Sequence, residues 1–215
     1  LNFTQVASVT AVRSVLQSMS TPIWGWWSDR HSRRRTLAFG CWFWGLFTLL
    51  TAVSSQYIDM LIFRAITGIG LAVIVPTTNS LISDYYPPDK RGKAYGFLGL
   101  TGIIGTIAGT MFMVAMPLDP SVTILGFTGW RFGFIVWSAI SVIIGLVVWL
   151  LVKDPLRGGV EPELAKALTW QKAEKYKVQR SDYARILKNH TFRWILAQGV
   201  TGTVPWGGIM FLVQW

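Results

Sequence analysis

Two arginines, Arg13 and Arg64, lie within long apolar stretches of the sequence. A guanidinium group stays ionised and presents several N–H donors, so it is well suited to bind carboxylates and phosphates. Because an ionised group is costly to hold in an apolar environment, each arginine is a candidate anion-binding group, although its long side chain could also reach the nearest interface. The chemistry that these residues suggest is recognition of a negatively charged group.

Each arginine shares a helical face with other polar residues, since side chains three or four positions apart lie on the same side of a helix. The first face carries Thr10, Arg13, Gln17 and Ser20. The second carries Arg64, Gly68, Thr78 and Asn79, with Pro76 interrupting the helix between them. Interrupted helices with polar faces often line substrate paths at membrane depth. We expect such a path to be lined by Arg13, Gln17, Arg64 and Asn79.

The ten acidic residues all lie in loops or at the ends of the apolar stretches. The two arginines therefore have no carboxylate at their own depth in this sequence. Either their partner lies on a helix outside the sequence, or the counter-charge is an anionic substrate. A carboxylate that couples transport to protons would also have to lie outside it.

Other catalytic or metal chemistry has little support in the sequence. His31 and His190 lie in basic contexts without metal-ligand spacing, and the single Cys41 excludes a disulfide scaffold. No nucleophile and base or paired carboxylates stand out. We expect no metal, no cofactor and no catalytic residues, and an intramembrane enzyme is the least favoured class.

Composition indicates which elements position these residues. Of 215 residues, 52% are hydrophobic and 14% are charged, whereas soluble proteins carry about 25% charged residues. Roughly 20 apolar residues cross a bilayer as a helix. Six stretches meet that length: 5–26, 36–54, 60–83, 94–116, 130–152 and 193–213. The sequence predicts an all-α membrane protein.

The polar segments divide these helices into three parts. We expect residues 1–153 to form a bundle of five helices, residues 154–191 to form an interdomain linker with an amphipathic helix, and residues 192–215 to begin a second bundle. The formal net charge is +10, and most Lys and Arg residues lie in alternate loops. This is the positive-inside pattern, which places the basic loops in the cytoplasm and argues against a nucleic-acid partner.

Glycines recur on the fourth apolar stretch, at positions 96, 99, 102, 105 and 109. Small residues four positions apart let helices approach closely. We expect helix packing at Gly68, Gly96, Gly105 and Gly109. A sliding surface for a conformational change is the alternative.

The first basic loop reads Gly25-Trp-Trp-Ser-Asp29-Arg30-His-Ser-Arg33-Arg34-Arg35. It resembles the signature loop of the major facilitator superfamily, with Trp27 and Ser32 in place of the usual leucine and glycine. Arg64-Ala-Ile-Thr-Gly68-Ile-Gly70 is similar to the fourth-helix motif of that superfamily, and Gly129-Trp130-Arg131 is similar to the start of its sixth helix. The segments around Pro76, Arg91 and Gly202 are most similar to the spinster-like branch.

The resemblance implies a major facilitator superfamily bundle in which this sequence covers the second to the seventh of twelve helices. It also implies a gate latch at the cytoplasmic ends of the helices, formed by Gly25, Asp29, Arg30, Arg33, Arg34 and Asp84. In such a latch Asp29 caps a helix of the other half, and Arg33 pairs with Asp84. The alternative is a solvated charge cluster of little structural value.

The function implied is secondary active transport by alternating access, with an amphiphilic organic anion or lysolipid-like molecule as substrate. The alternatives are a proton-coupled carrier of a small sugar or metabolite, and a transport-inactive membrane receptor or scaffold. The expected partners are the substrate, membrane lipids and the C-terminal half of the same chain, in a monomeric protein.

Overall fold

The computed structural model describes residues 3–117, 119, 121–155, 160, 188–195 and 197–198. The chain divides into two units, Leu1–Lys166 and Ala167–Trp215. The elements of the first unit, in chain order, are α1 (Phe3–Ser28), α2 (Arg33–Val53), α3 (Tyr57–Leu71), α4 (Ile74–Tyr85), α5 (Pro88–Val114), β1 (Thr123–Ile124), β2 (Phe127–Thr128) and α6 (Gly129–Leu151).

In the second unit the described residues include a short helical stretch at 190–195, where the Asn189 side chain accepts the Phe192 N–H at 3.3 Å. Most of the predicted linker 154–191 and of the predicted helix 193–213 lies outside the described residues.

Four helical segments of the described residues are long and apolar enough to cross a membrane: Arg33–Val53, Tyr57–Tyr85, Pro88–Val114 and Gly129–Leu151. The 26-residue α1 is also long enough but more polar, because it carries Arg13, two glutamines and several hydroxyl residues. Many large apolar side chains point outward, for example Phe97 at 71% exposure and Leu151 at 73%. A bilayer covers such side chains, and the predicted all-α membrane class is confirmed.

The third predicted span is two helices, and the break does not fall at its proline. Pro76 is the third residue of α4, and the helix is interrupted at Ala72 and Val73. Proline has no N–H to bond the carbonyl four residues earlier, and its ring crowds that carbonyl. The carbonyl that loses its hydrogen bond therefore belongs to Ala72, one turn before the proline. The buried Val73 side chain packs against the α-carbon of Gly40 and anchors the break on α2.

The polar segment between α5 and α6 contains a short antiparallel hairpin, where the sequence predicts only a loop. Thr123 pairs with Thr128 and Ile124 with Phe127. The two turn residues have positive φ, 53° at Leu125 and 83° at Gly126, as expected of a tight hairpin turn. Just before the hairpin, the Asp119 carboxylate accepts hydrogen bonds from the backbone N–H and from the hydroxyl of Ser121. These two bonds, the backbone one more strongly, lower the pKa of the Asp119 carboxyl.

The helices of the first unit pack around α3 and α2. Helices α1 and α2 both lie along α3 but scarcely touch each other, and α2 makes its most extensive contact with α6. By contrast, α5 has no buried residue within the described part of the chain. The packed core thus consists of α1, α2, α3, α4 and α6.

Candidate functional site

Arg13 lies in the interface between α1 and α3. Its backbone packs against the α-carbon of the buried Gly68, where any added methyl group would collide with the Arg13 carbonyl and lie 3.2 Å from its Cγ. Because Gly68 has no side chain, the two helices approach closely at this level. The Arg13 side chain leaves this contact partly exposed.

Arg64 lies one turn before Gly68 on α3, and its guanidinium is 4.4 Å from the centroid of the Phe134 ring on α6. A cation over an aromatic face is stabilised by the ring quadrupole, so Phe134 holds Arg64 without neutralising it. Arg64 therefore lies one turn from the residue that contacts the Arg13 backbone, so both arginines belong to the α1–α3 interface. Among the described residues, neither arginine is paired with a carboxylate. The structure thus places both arginines at one level of the α1–α3 interface.

The other two residues predicted for the path are placed differently. Gln17 is one turn from Arg13 on α1 and is half-buried, and its backbone carbonyl accepts the Thr21 hydroxyl at 2.8 Å. Asn79 is exposed on α4, three residues beyond Pro76, which lies opposite Gly25. Arg13 and Gly25 are about 18 Å apart along α1 at the rise of an α-helix. Asn79 therefore lies far from the level of the arginines.

An ion pair joins α2 to α4 at the end of the bundle that carries the basic loops. Arg33 Nη1 contacts Asp84 Oδ2, and both side chains are only 9% exposed. This is the pairing that the resemblance implies. Removing one partner of such a buried pair leaves an uncompensated charge, so the pair couples the two helix ends strongly.

The remaining residues of the expected latch lie at the same end of the helices. Asp29 and Arg30 are exposed just after α1 ends, and the Arg30 guanidinium lies 4.0 Å from the Trp26 ring centroid. Arg34 lies 5.8 Å from the ring of Trp149 on α6. A methyl group on Gly25 would make only ordinary contact with Pro76, at 3.7 Å.

One residue of this region, Asp154, was identified in the sequence only as an acid at a helix end. Its carboxylate accepts the backbone N–H of Arg34 at 2.9 Å and the hydroxyl of Ser32. Ser32 is itself the N-cap of α2 and accepts the Arg35 N–H at 3.3 Å. Nearby, the Tyr85 hydroxyl donates to the Lys153 carbonyl. The segment that follows α6 is therefore tied to the start of α2 and to the end of α4.

The predicted packing glycines divide into two groups. Gly68 is in tight contact with α1. A methyl group added to Gly109 would lie 3.4 Å from the Trp137 side chain of α6. Gly96 and Gly105 have no described neighbour within 4 Å of that position. Their role in packing stays a prediction.

Together these features define a helical membrane protein with two arginines at the α1–α3 interface and a buried ion pair at one end of the described bundle. The family model of the Major Facilitator Superfamily matches residues 1–215. The chain therefore belongs to this superfamily.

Individual relatives agree with this assignment. Protein spinster homolog 1 of Xenopus laevis is 26% identical over 90% of this chain and 36% of its own length. Multidrug resistance protein 3 of Bacillus subtilis is 34% identical over 51% of this chain and 22% of its own length. The chain thus spans well under half of each relative. The spinster match agrees with the spinster-like resemblance.

A solved structure shows the same helical arrangement. A bacterial homologue of the human lysosomal transporter Spinster, in an inward-facing and occupied conformation, superimposes with a TM-score of 0.60 and 25% identity. The match covers 76% of this chain and 39% of that protein. The predicted superfamily fold is confirmed.

Proposed function

We propose that the full-length protein is a secondary active transporter that works by alternating access and carries an amphiphilic organic anion. The observation that carries this proposal is the placement of Arg13 and Arg64 at the α1–α3 interface, two cations within apolar helices that share no described carboxylate. Polar groups at that depth are costly and mark substrate or ion pathways. A substrate that brings its own negative charge balances both arginines while it is bound.

The amphiphilic character is supported by the surroundings of the two arginines. Phe134 covers one side of Arg64, so the site offers an aromatic surface next to its cations. The resemblance to the spinster-like branch implies a lysolipid-like or other amphiphilic anion, and the B. subtilis relative is named a multidrug resistance protein. An anionic head would contact the arginines, and an apolar tail would lie against the aromatic side chains.

The Arg33–Asp84 pair supplies the conformational part of the proposal. A buried ion pair between two helix ends stabilises the state in which it forms, and its separation favours the other state. Asp154 ties the segment after α6 to the first turn of α2, beside Arg33. We infer that this end of the bundle is a gate on the cytoplasmic side, as the positive-inside pattern predicts.

The proposal is tested by uptake of labelled lysophosphatidic acid into proteoliposomes that contain the full-length protein. Arg13→Ala and Arg64→Ala are expected to lower uptake at least tenfold, since each removes a charge-assisted contact to the anion. The control is Lys93→Ala, which removes an exposed cation at the start of α5. Unchanged uptake in both arginine variants would refute the proposed site.

Two further arms separate the alternatives. Substrate-dependent labelling of a cysteine introduced at Asp29, without any uptake, would indicate a receptor or scaffold. Uptake that needs an imposed proton gradient but no anionic group on the substrate would favour a proton-coupled carrier of neutral metabolites.

A further inference from the structure

We propose that the groove between the end of α1 and the start of α2 binds one membrane phospholipid with an anionic headgroup. The groove exists because both helices pack on α3 and scarcely touch each other. Its volume is about 600 Å³, which falls in the range of small-molecule sites. Ile69 of α3 forms its floor.

One end of the groove is apolar. It is lined by Ile23 and Trp24 of α1 and Phe39 of α2. Ile23 is 65% exposed and Phe39 is 52% exposed, so both need an apolar neighbour that the described chain does not supply. Trp24 is fixed because its Nε1 donates to the Ile69 carbonyl at 2.8 Å. This end is preformed for an acyl chain.

The other end is aromatic and cationic. Trp27 stacks on His31 with 4.1 Å between ring centroids, and Arg35 lines the groove from α2. Arg35 is exposed and, within the described ranges, forms no ion pair; its guanidinium lies 6.0 Å from the centroid of the Trp149 ring. Arg35 and Phe39 are one helical turn apart on the same face of α2. The groove therefore passes from a charged end to an apolar end along the helix axis.

This gradient matches a phospholipid at the membrane boundary. The charged end lies where α1 ends and the basic loop begins, which is the interfacial level at which tryptophans concentrate. Arginines at that level attract anionic headgroups by about fivefold in affinity for each charge. Asp154 lies near this end, where it is occupied with Ser32 and the Arg34 N–H. Arg13 and Arg64 do not line the groove, so this lipid site is separate from the proposed transport path.

Native mass spectrometry of the full-length protein in neutral detergent tests the site. The probes are phosphatidylglycerol and phosphatidylcholine with identical acyl chains. Arg35→Gln is expected to weaken phosphatidylglycerol binding about fivefold and to leave phosphatidylcholine unchanged, and Arg35→Lys is expected to retain most of the preference. Phe39→Ala is expected to weaken both lipids about threefold.

Two control variants are matched in charge and exposure. Lys90→Gln removes an exposed cation from the first turn of α5, and Ile143→Ala shortens an exposed side chain of α6 that does not line the groove. Both should bind the lipids as the wild type does. If Arg35→Gln binds phosphatidylglycerol like the wild type, the proposal is wrong.

Photolabelling of the unsubstituted protein provides a measurement that does not depend on any variant folding. Phosphatidylglycerol with a photoreactive acyl chain should label peptides that contain Ile23, Trp24 or Phe39. Labelling confined to α5 and α6 would overturn the proposal. Crosslinks between the groove and another helix of the same protein would also overturn it, because that helix would then fill the groove. Neither result depends on which substrate is transported.

Discussion

The backbone carbonyl of Arg13 lies directly against the α-carbon of Gly68. This contact sets the distance between α1 and α3 at the level where both intramembrane arginines lie. A larger residue at position 68 would have to displace the Arg13 backbone, not the end of a flexible side chain. The glycine of the family motif therefore positions the cation that we assign to the substrate path.

Gly68→Ala is expected to destabilise the protein by about 1–3 kcal/mol, the usual cost of forcing extra atoms into a packed interface. The thermal unfolding midpoint of the detergent-solubilised full-length protein measures this effect. Gly25→Ala is the control, because its added methyl group would meet only Pro76 at 3.7 Å. A midpoint for Gly68→Ala equal to that of the control would show that α1 and α3 do not approach as described.

Asp84→Asn is expected to destabilise the protein by about 3–5 kcal/mol, because it leaves the Arg33 guanidinium buried without a counter-charge. The double variant Arg33→Gln, Asp84→Asn removes both charges and should recover much of this loss. A double-mutant cycle on the unfolding midpoint gives the coupling between the two residues. A coupling near zero would support the alternative of a solvated charge cluster.

Asp154→Ala is expected to loosen the first turn of α2 by about 1 kcal/mol, since the carboxylate satisfies the Arg34 N–H at a helix N-terminus. Hydrogen exchange should accelerate at the amides of Arg34 and Arg35 and stay unchanged in the second half of α2. Asp119→Ala is the control, because the Asp119 side chain bonds only Ser121 in its own loop among the described residues. Equal exchange rates in both variants would contradict the assigned cap.

Much of the fold could be predicted from hydropathy, because a membrane-spanning helix needs a fixed length of apolar residues. The five predicted stretches between residues 5 and 152 correspond to α1, α2, α3 with α4, α5 and α6. The break at residues 72 and 73 was not predicted, since the proline signals a distortion but tertiary packing of Val73 on Gly40 determines its place. The hairpin was not predicted because each of its strands has only two residues, too few to show the alternating pattern of a strand.

The candidate site was predictable where the sequence itself carries the signal. A charged residue in an apolar stretch identified Arg13 and Arg64, and the motif resemblance supplied the Arg33–Asp84 pair. The contacts of Phe134 with Arg64 and of Asp154 with Arg34 were not predicted, because the two residues of each contact lie far apart in the sequence. Asp154 and Arg34 are separated by 120 positions. Asn79 shares a helical face with Arg64 in the sequence pattern. In the structure the two residues lie on different helices, α3 and α4, and several turns apart along the chain.

Helices α2 and α6 are held together by small residues whose role the sequence pattern did not indicate. The Ser138 hydroxyl donates to the Gly45 carbonyl at 2.8 Å, and the Ser141 hydroxyl donates to the Cys41 carbonyl at 2.7 Å. A methyl group on Gly45 would lie 3.2 Å from the Ser141 Cβ. Close approach of the backbones therefore depends on both small size and hydrogen bonding.

Two substitutions at Ser141 separate these contributions. Ser141→Ala keeps the small size and loses one hydrogen bond, for an expected cost of about 0.6 kcal/mol. Ser141→Leu forces the helices apart and should cost about 1–3 kcal/mol or more. Unfolding midpoints of the full-length protein measure both, with Ile143→Ala as the control on the exposed face of α6. If Ser141→Leu were as stable as Ser141→Ala, the helices could not be packed as closely as the structure shows.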